Sequence, residues 1–259
     1  MIRTNRFIPG AAVPQIHVII PCFNEAPTLC ICVDRILAVE WPDSWTASIC
    51  IVNDDSTDET GSIAEELSIR HESVTAFHHD RNQGKGAAVR TGLDHVLSEA
   101  ASDELVVIQD ADLEYDPSDL VEAILRFDDE DLDAIIGDRF AAWTRSSSMG
   151  QFHMMVNRLL TETSNALTGL GLADMECCYK VMRVRIARSI LPSLREKRFG
   201  IEPQLAACLA RENARVGNMP VSYSPRTTKE GKKIGFLDGM RALYVIFSEW
   251  FKGGSDDDA

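Results

Sequence analysis

The 259-residue sequence lacks a net positive charge, a long apolar run and a regular cysteine pattern. Its 26 Lys and Arg residues are outnumbered by 40 Asp and Glu residues, which gives a net charge of −14. This balance argues against nucleic-acid binding, because that requires a basic face to displace phosphate counterions. No stretch reaches the ~18 consecutive apolar residues of a transmembrane helix, and no signal-peptide core follows the first residues. We therefore expect a cytoplasmic protein, either soluble or peripheral to the cytoplasmic face of a membrane.

The seven cysteines do not form a disulfide framework. Their number is odd and most of them lie in apolar runs, as is typical of reduced thiols in a cytosolic chain. The cysteines at 30 and 32 and the pair at 177–178 also lack the spacing of a zinc site. The sequence therefore predicts neither crosslinks nor bound zinc.

Short apolar runs alternate with helical patterns through the first half of the chain. The runs predict strands, and between them helices are expected to begin near Asn24, Ser56, Gly84 and Pro117. Asn24 is the expected cap of the first helix, and Asp55 or Ser56 of the second. This alternation predicts an α/β fold with a mixed, mostly parallel sheet and helices on both faces. The predicted strands cover residues 16–20, 48–52, 74–78, 104–108 and 132–136.

The second half is less regular. It predicts helices at 151–168, 203–211 and 236–251, and a strand at 215–223. The last helix is amphipathic, and such a helix either packs on a core or contacts a membrane. We expect one domain over 15–252, with a donor half (15–140) and an acceptor half (141–252). It would follow an N-terminal extension (1–14) and precede a disordered acidic tail (253–259).

Asp110 and Asp112 are the strongest candidates for chemistry. Residues i and i+2 of an extended segment project from one face, so the two carboxylates can converge at the end of a strand. Mg²⁺ and Mn²⁺ prefer oxygen ligands and commonly add phosphate oxygens of a substrate. The pair therefore predicts a divalent-metal site, while a polar loop entry is the alternative.

Two further polar clusters follow predicted strands. Residues 53–58 can bind a ribose or nucleobase edge, cap a helix, or do both with different side chains. Residues 81–86 precede a helix whose amide groups can face an anion, and Lys85 is either a donor-binding cation or a surface lysine. This second cluster lacks the glycine spacing of a Walker A loop, which excludes a P-loop ATPase.

Taken together and in order, these motifs resemble family 2 glycosyltransferases. The motifs are Pro21-Cys22-Phe23-Asn24-Glu25, Asn53-Asp54-Asp55-Ser56-Thr57-Asp58, Asn82-Gln83-Gly84-Lys85-Gly86, Asp110-Ala111-Asp112 and Gly137-Asp138-Arg139-Phe140. Later blocks resemble the soluble-type dolichyl- and polyprenyl-phosphate mannose or glucose synthases. Those blocks are Asp174-Met175-Glu176-Cys177-Cys178-Tyr179-Lys180, Phe199-Gly200-Ile201-Glu202-Pro203 and residues 226–235.

The resemblance implies a GT-A fold, a nucleoside diphospho-sugar donor and a diphosphate bound through Mg²⁺ or Mn²⁺. By motif position it assigns Pro21, Asn24 and Glu25 to the nucleotide pocket, with Asp54 beside the base or ribose. Asp110 and Asp112 fall at the metal and the sugar. Asn53 and Asp55 depart from the family pattern, where aspartate and glycine are usual, so GDP-mannose and UDP-glucose both stay open as donors.

Further cations and acids, most of them in the acceptor half, are candidates for the remaining roles. The phosphate-binding candidates are Arg139, Arg226, Lys232 and Lys233. The candidate catalytic residues are Asp112, Arg139, Asp174 and Glu202, of which Asp174 and Glu202 are the best acids in the acceptor half. Alternatively, Asp174 or Glu202 caps a helix or pairs with Arg183 or Arg198.

The implied reaction is inverting transfer of a hexose to an acceptor, for which polyprenyl phosphate at the cytoplasmic membrane face is the first hypothesis. One alternative retains the donor site and uses a soluble or glycan acceptor. A further alternative is a non-catalytic protein that binds nucleotide sugars.

Overall fold

The computed structural model of the protein describes residues 13–42, 45–141, 151–226 and 236–253. Seven strands form one sheet, in the order β3-β2-β1-β4-β6-β5-β7. The strands are β1 (Gln15–Cys22), β2 (Thr46–Asn53), β3 (Val74–His78), β4 (Leu105–Ile108), β5 (Ala134–Asp138), β6 (Lys180–Arg183) and β7 (Val216–Pro220).

Within the described residues, eight α-helices connect and cover these strands. They are α1 (Leu29–Leu37), α2 (Thr60–Arg70), α3 (Lys85–Glu99), α4 (Asp119–Asp129), α5 (Gln151–Thr168), α6 (Val184–Ile190), α7 (Ile201–Arg211) and α8 (Phe236–Gly253). Consecutive residues of β1 and β4 are buried, as expected for strands that are covered on both faces. The predicted α/β architecture with a mixed, mostly parallel sheet is confirmed.

The direction of the strands brings distant segments to one edge of the sheet. β1, β2, β3 and β4 are parallel, so their carboxyl ends share an edge. β6 is antiparallel to both β4 and β5, so the residues that precede β6 reach the same edge. β7 is parallel to β5, so the residues that follow β7 also lie at this edge. Both predicted halves of the chain therefore contribute to one site.

The structure corrects three details of the sequence-based prediction. Helix α1 begins at Leu29 rather than after Asn24, which adopts a left-handed backbone with φ 52°. Helix α2 begins at Thr60, so neither Asp55 nor Ser56 caps it. Strand β6 and helix α6 were not predicted, because β6 has only 4 residues and its pattern is too short to detect.

All seven cysteines are free thiols, and six of them are buried. Among the helices of the described residues, none is long and apolar enough to cross a membrane.

Candidate active site

Lys85 joins two acidic residues that are far apart in the sequence. Its Nζ atom lies 2.9 Å from Asp110 Oδ1 and 2.8 Å from Glu202 Oε1. Asp110 follows β4, Lys85 begins α3 and Glu202 stands in the first turn of α7. Burial lowers the pKa of Lys85, but the two carboxylates outweigh burial and raise its pKa above the ordinary value. The ammonium therefore stays charged and offsets part of the negative charge of the two acids.

Arg226 makes the equivalent connection for Asp112. Its Nη2 atom lies 3.3 Å from Asp112 Oδ2, and its Nη1 atom donates a 3.0 Å hydrogen bond to Glu25 Oε2. The Glu25 backbone N–H in turn donates to Thr60 Oγ1 at 2.8 Å. Three predicted site residues, one from each third of the chain, thus meet at the Arg226 guanidinium.

Glu114 lies beside Arg226 and Asp112, and it was not predicted from the sequence as a site residue. It accepts a 2.8 Å hydrogen bond from the Arg226 backbone N–H and another from the Tyr223 hydroxyl. Its own backbone N–H donates to Asp112 Oδ1 at 3.1 Å. The signal was present, since Glu114 continues the i, i+2 spacing of Asp110 and Asp112.

Asp112 lies close to two other acids, Asp110 and Glu114, and their charges favour the binding of a cation. Burial, followed by the charges of Asp110 and Glu114, raises the pKa of Asp112 to about 7. A cation beside this carboxyl would relieve the repulsion and favour its ionised form. Its oxygens are hard ligands of the kind that Mg²⁺ and Mn²⁺ prefer, so the residues fit such an ion. Within the described ranges, no three His, Cys, Asp or Glu side chains are grouped closely enough to hold a metal by themselves.

Asp54 anchors the loop that carries Lys85. Its two carboxylate oxygens accept hydrogen bonds from the backbone N–H groups of Gln83 at 2.8 Å and Gly84 at 2.6 Å. His79 Nδ1 lies 2.7 Å from the same carboxylate, which is almost fully buried. The contact of Asp54 with the base or ribose stays a prediction, since protein groups already bind both oxygens of the Asp54 carboxylate.

Gly84 and Gly86 allow this loop to approach the chain before α7. Gly84 has φ +96°, and a Cβ atom added there would lie 2.4 Å from the Lys197 carbonyl oxygen. A Cβ atom on Gly86 would lie 2.4 Å from the Glu196 carbonyl oxygen. The glycines of this motif are therefore required by close packing and not by contact with an anion alone.

The nucleotide side of the cluster is formed by the loops after β1 and β2. Pro21 is buried near the end of β1, and Asn24 Oδ1 accepts a 2.8 Å hydrogen bond from the Thr57 backbone N–H. Asp55, with φ 57°, is exposed in the second loop, whereas Asp54 is buried. Asp55 is also the position where glycine is usual in the family pattern.

Arg139 and Asp174 form a separate buried ion pair. Arg139 donates to Asp174 from Nε at 2.6 Å and from Nη2 at 2.8 Å. The guanidinium carbon of Arg139 also lies 5.3 Å from the ring centroid of Tyr223, whose hydroxyl binds Glu114. The alternative prediction, in which Asp174 or Glu202 pairs with Arg183 or Arg198, is wrong. Asp174 pairs with Arg139, and Glu202 pairs with Lys85.

Glu176 is a second acid that the sequence interpretation did not select. Burial, followed by the charge of Glu202, raises the pKa of Glu176 to about 7. The charges of Lys180 and Arg139 act in the opposite direction and lower its pKa. Lys232 and Lys233 lie outside the described residues, as do 142–150 and 254–259.

Comparison with known sequences was made once this geometry was established. A model of the family described as Glycosyl transferase family 2 matches residues 17–191. The chain is 26% identical over 245 residues to the dodecaprenyl-phosphate galacturonate synthase of Rhizobium johnstonii, covering 92% of this chain and 67% of the relative. It is 25% identical over 232 residues to the undecaprenyl-phosphate mannosyltransferase of Micrococcus luteus, covering 89% of this chain and 92% of the relative.

A solved structure has the same fold. It is glucosyl-3-phosphoglycerate synthase from Mycobacterium tuberculosis, in complex with Mn²⁺, uridine diphosphate and glucosyl-3-phosphoglycerate. The TM-score is 0.65 at 16% identity, with 92% of this chain and 80% of the neighbour covered. The likeness confirms the predicted GT-A fold.

Proposed function

Because the chain belongs to glycosyl transferase family 2, we propose that it transfers a hexose from a nucleoside diphospho-sugar to polyprenyl phosphate. The acceptor class is supported by the names of two relatives, which act on dodecaprenyl phosphate and undecaprenyl phosphate. The observation that carries the proposal is the contact of Asp110 and Asp112 with cations from both halves of the chain. A donor and an acceptor can therefore meet at one sheet edge.

In the proposed reaction an acceptor phosphate oxygen attacks C1 of the sugar from the face opposite the leaving group. The bond between C1 and the diphosphate oxygen breaks, and its electron pair leaves with the nucleoside diphosphate. The configuration at C1 is therefore inverted. A phosphate monoester is already ionised at neutral pH, so the acceptor needs a cation to bind it more than a general base to activate it.

Asp112, together with Asp110, would hold Mg²⁺ or Mn²⁺ on the donor diphosphate. When bound, such an ion supplies Lewis-acid stabilisation of the departing diphosphate, worth several kcal/mol. The ion pair with Lys85 fixes the Asp110 carboxylate, and the N–H group of Glu114 fixes that of Asp112. Pro21, Asn24, Glu25, Asp55 and Asp54 are proposed to form or support the nucleotide pocket.

Two cations next to the cluster have the geometry to bind phosphate. Carboxylates hold Lys85 and Arg226 beside Asp110 and Asp112, where both cations can also donate hydrogen bonds to an incoming phosphate oxygen. Lys232 and Lys233 follow Arg226 closely in the sequence and are proposed to bind the acceptor phosphate. Arg139 would contribute positive charge from the acceptor side.

Glu202 and Asp174 are proposed to act through their partners. Each carboxylate lies directly against a cation, Glu202 against Lys85 and Asp174 against Arg139. Both acids are therefore positioning residues in this proposal, which uses neither to remove a proton. A lipid acceptor also requires the protein to meet a membrane surface, and we propose its cytoplasmic face.

The test is transfer from radiolabelled donors. The protein is incubated with Mn²⁺, with GDP-mannose or UDP-glucose, and with a short-chain polyprenyl phosphate. We expect label in the butanol-extractable fraction for one donor. Label that appears only in a water-soluble product would contradict the lipid acceptor and favour a soluble one, and nucleotide binding without transfer to any acceptor would favour a non-catalytic protein.

A matched pair of variants isolates the metal motif. Asp112→Asn retains the size of the side chain and removes the charge, so transfer is expected to fall by at least about 100-fold. Asp94→Asn makes the same change on the exposed face of α3 and is expected to leave transfer unchanged. Unchanged transfer by Asp112→Asn would exclude a role for that residue at the metal.

A further inference from the structure

Helix α8 has two apolar faces, only one of which is covered by protein. Ala242, Val245 and Ile246 on one face are almost fully buried. This face packs against α7 and α5. The amphipathic pattern of the sequence left core packing and membrane contact as alternatives, and the buried face accounts for core packing.

The opposite face carries a stripe of exposed apolar side chains, which we call the α8 stripe. Its members are Met240, Tyr244, Phe247 and Phe251, between 44% and 69% exposed. They recur at the three- and four-residue spacing that places side chains on one side of a helix. Trp250 beside them is 49% exposed. Single exposed apolar residues are ordinary, but a continuous row of this kind indicates a surface that is covered by something.

The charges around the stripe identify the covering surface. In a chain of net charge −14, the charged residues exposed on α8 between 239 and 252 are Arg241 and Lys252. Glu249 is the acid within that range, and it is buried against Gln204 and Lys252. An apolar row flanked by cations complements a bilayer with anionic headgroups, where Tyr and Trp rings also prefer to lie.

The stripe lies one helix away from the active site. A Cβ atom added to Gly200, just before α7, would meet Val245 Cγ2 at 2.7 Å, so α8 packs closely on the start of α7. Glu202 stands in that first turn and binds Lys85. Arg241 also binds Glu196, whose carbonyl oxygen faces Gly86. A surface bound by α8 would therefore lie close to the elements that form the site.

We propose that the α8 stripe inserts into the interface of an anionic lipid bilayer and so holds the active site beside a membrane-embedded acceptor. The membrane-embedded acceptor rests on the proposed function, whereas the binding of the α8 stripe to a bilayer does not depend on it. The stripe supplies apolar area. Arg241 and Lys252 supply attraction to headgroups, because both side chains stay about half exposed beside the buried acids Glu196 and Glu249, and Glu249 is shared with Arg211. Binding should therefore weaken with salt and require anionic lipid.

The experiment is vesicle flotation with two compositions, phosphatidylcholine alone and a mixture with about one third phosphatidylglycerol. We expect the full chain to float with the anionic vesicles and to dissociate in high salt. The variant Phe247→Ser/Phe251→Ser should bind the anionic vesicles at least about tenfold more weakly. Ile69→Ser/Leu125→Ser removes exposed apolar side chains from α2 and α4 and should bind like the unchanged chain.

Transfer assays separate this inference from the proposed function. The Phe247→Ser/Phe251→Ser variant should retain transfer to a short, water-dispersed polyprenyl phosphate and lose it with a long-chain acceptor in anionic vesicles. Equal vesicle binding by the two double variants would overturn the docking surface even if transfer occurs. Vesicle binding that depends on the stripe, without transfer to any polyprenyl phosphate, would support docking and contradict the proposed acceptor.

A second copy of the chain is the competing occupant. If the stripe is a dimer contact, the unchanged chain will have the mass of a dimer by light scattering, the Phe247→Ser/Phe251→Ser variant will be a monomer, and neither will bind vesicles. That combination would overturn the proposal. Both variants alter exposed side chains, and unchanged thermal midpoints will establish that they fold.

Discussion

Arg139 binds Asp174 through two parallel hydrogen bonds, and both side chains are buried. Burial lowers the pKa of Arg139, but Tyr115 and Asp174 outweigh burial and raise its pKa well above the ordinary value. The guanidinium thus stays charged in a site with little water. Removing its partner leaves an uncompensated buried charge, which costs far more than the loss of an exposed pair.

Asp174→Ala is therefore expected to lower the free energy of unfolding by about 3–5 kcal/mol. Glu66→Ala removes the partner of Arg70 on the surface of α2 and should cost at most about 1 kcal/mol. Urea denaturation followed by circular dichroism measures both values. Similar small losses for the two variants would show that the buried pair does not stabilise the fold.

Lys85→Met should separate stability from activity. The change leaves Asp110 and Glu202 without the cation between them, so both stability and transfer are expected to fall. Adding Glu202→Gln should restore part of the stability, with a coupling of about 0.5–3 kcal/mol between the two sites. Transfer should stay at least about 100-fold below that of the unchanged chain, because the Lys85 ammonium no longer faces the donor phosphate. Additive losses of stability would contradict the ion-pair cluster.

Gly86→Ala tests the close approach of the Lys85 loop to the chain before α7. The added methyl would lie 2.4 Å from the Glu196 carbonyl oxygen, so a backbone shift is required. We expect a loss of about 1–3 kcal/mol and reduced transfer, measured from the thermal midpoint and the initial rate. Gly239→Ala in α8 meets nothing within 4 Å and should be neutral or stabilise by up to about 1 kcal/mol. Equal effects of the two substitutions would show that the approach is looser than described.

Asp133 should contribute to stability in a pH-dependent way. Burial raises its pKa, but hydrogen bonds from Arg215 and Arg185 outweigh burial and hold the pKa at about 2, below its usual 3.8. The ionised form therefore favours the folded state. Its contribution is complete above the unfolded pKa and is lost as the pH falls from about 4 towards 2.

The corresponding experiment compares Asp133→Asn with the unchanged chain at several pH values. We expect a difference on the order of 1–2 kcal/mol in the free energy of unfolding at pH 7, measured in urea, that shrinks towards zero near pH 2. Asp94→Asn on α3 serves as the exposed control. A difference for Asp133→Asn that is the same at every pH would exclude the linkage.

Local sequence was enough to predict the sheet and the position of the Asp110-Ala111-Asp112 motif at its edge. The apolar runs of β1, β2 and β4 and the polar residues that follow them are signals within a few residues. Because parallel strands present their carboxyl ends at one edge, Asp110 and Asp112 could be placed beside Asn24 and Glu25 before the structure was known.

The partners of these acids could not be predicted in the same way. Arg226 binds Glu25 across 201 positions of the chain, and Asp174 binds Arg139 rather than an arginine close to it in sequence. Electrostatic attraction does not depend on sequence separation, so composition alone offers many equivalent pairings. The antiparallel direction of β6 decided which of them form, since it brings Asp174 and Glu176 to the sheet edge that carries Asp110 and Asp112.

Helix α8 shows the same division between sequence and tertiary structure. The sequence by itself determined that residues 236–251 form an amphipathic helix, because helical periodicity is a local property. Only the tertiary structure decided which apolar side chains the rest of the protein covers. Val245 and Ile246 pack against neighbouring helices, while Tyr244 and Phe251 lie exposed. The physical reason is that burial depends on where other elements pack, and those contacts are made by residues far away in the chain.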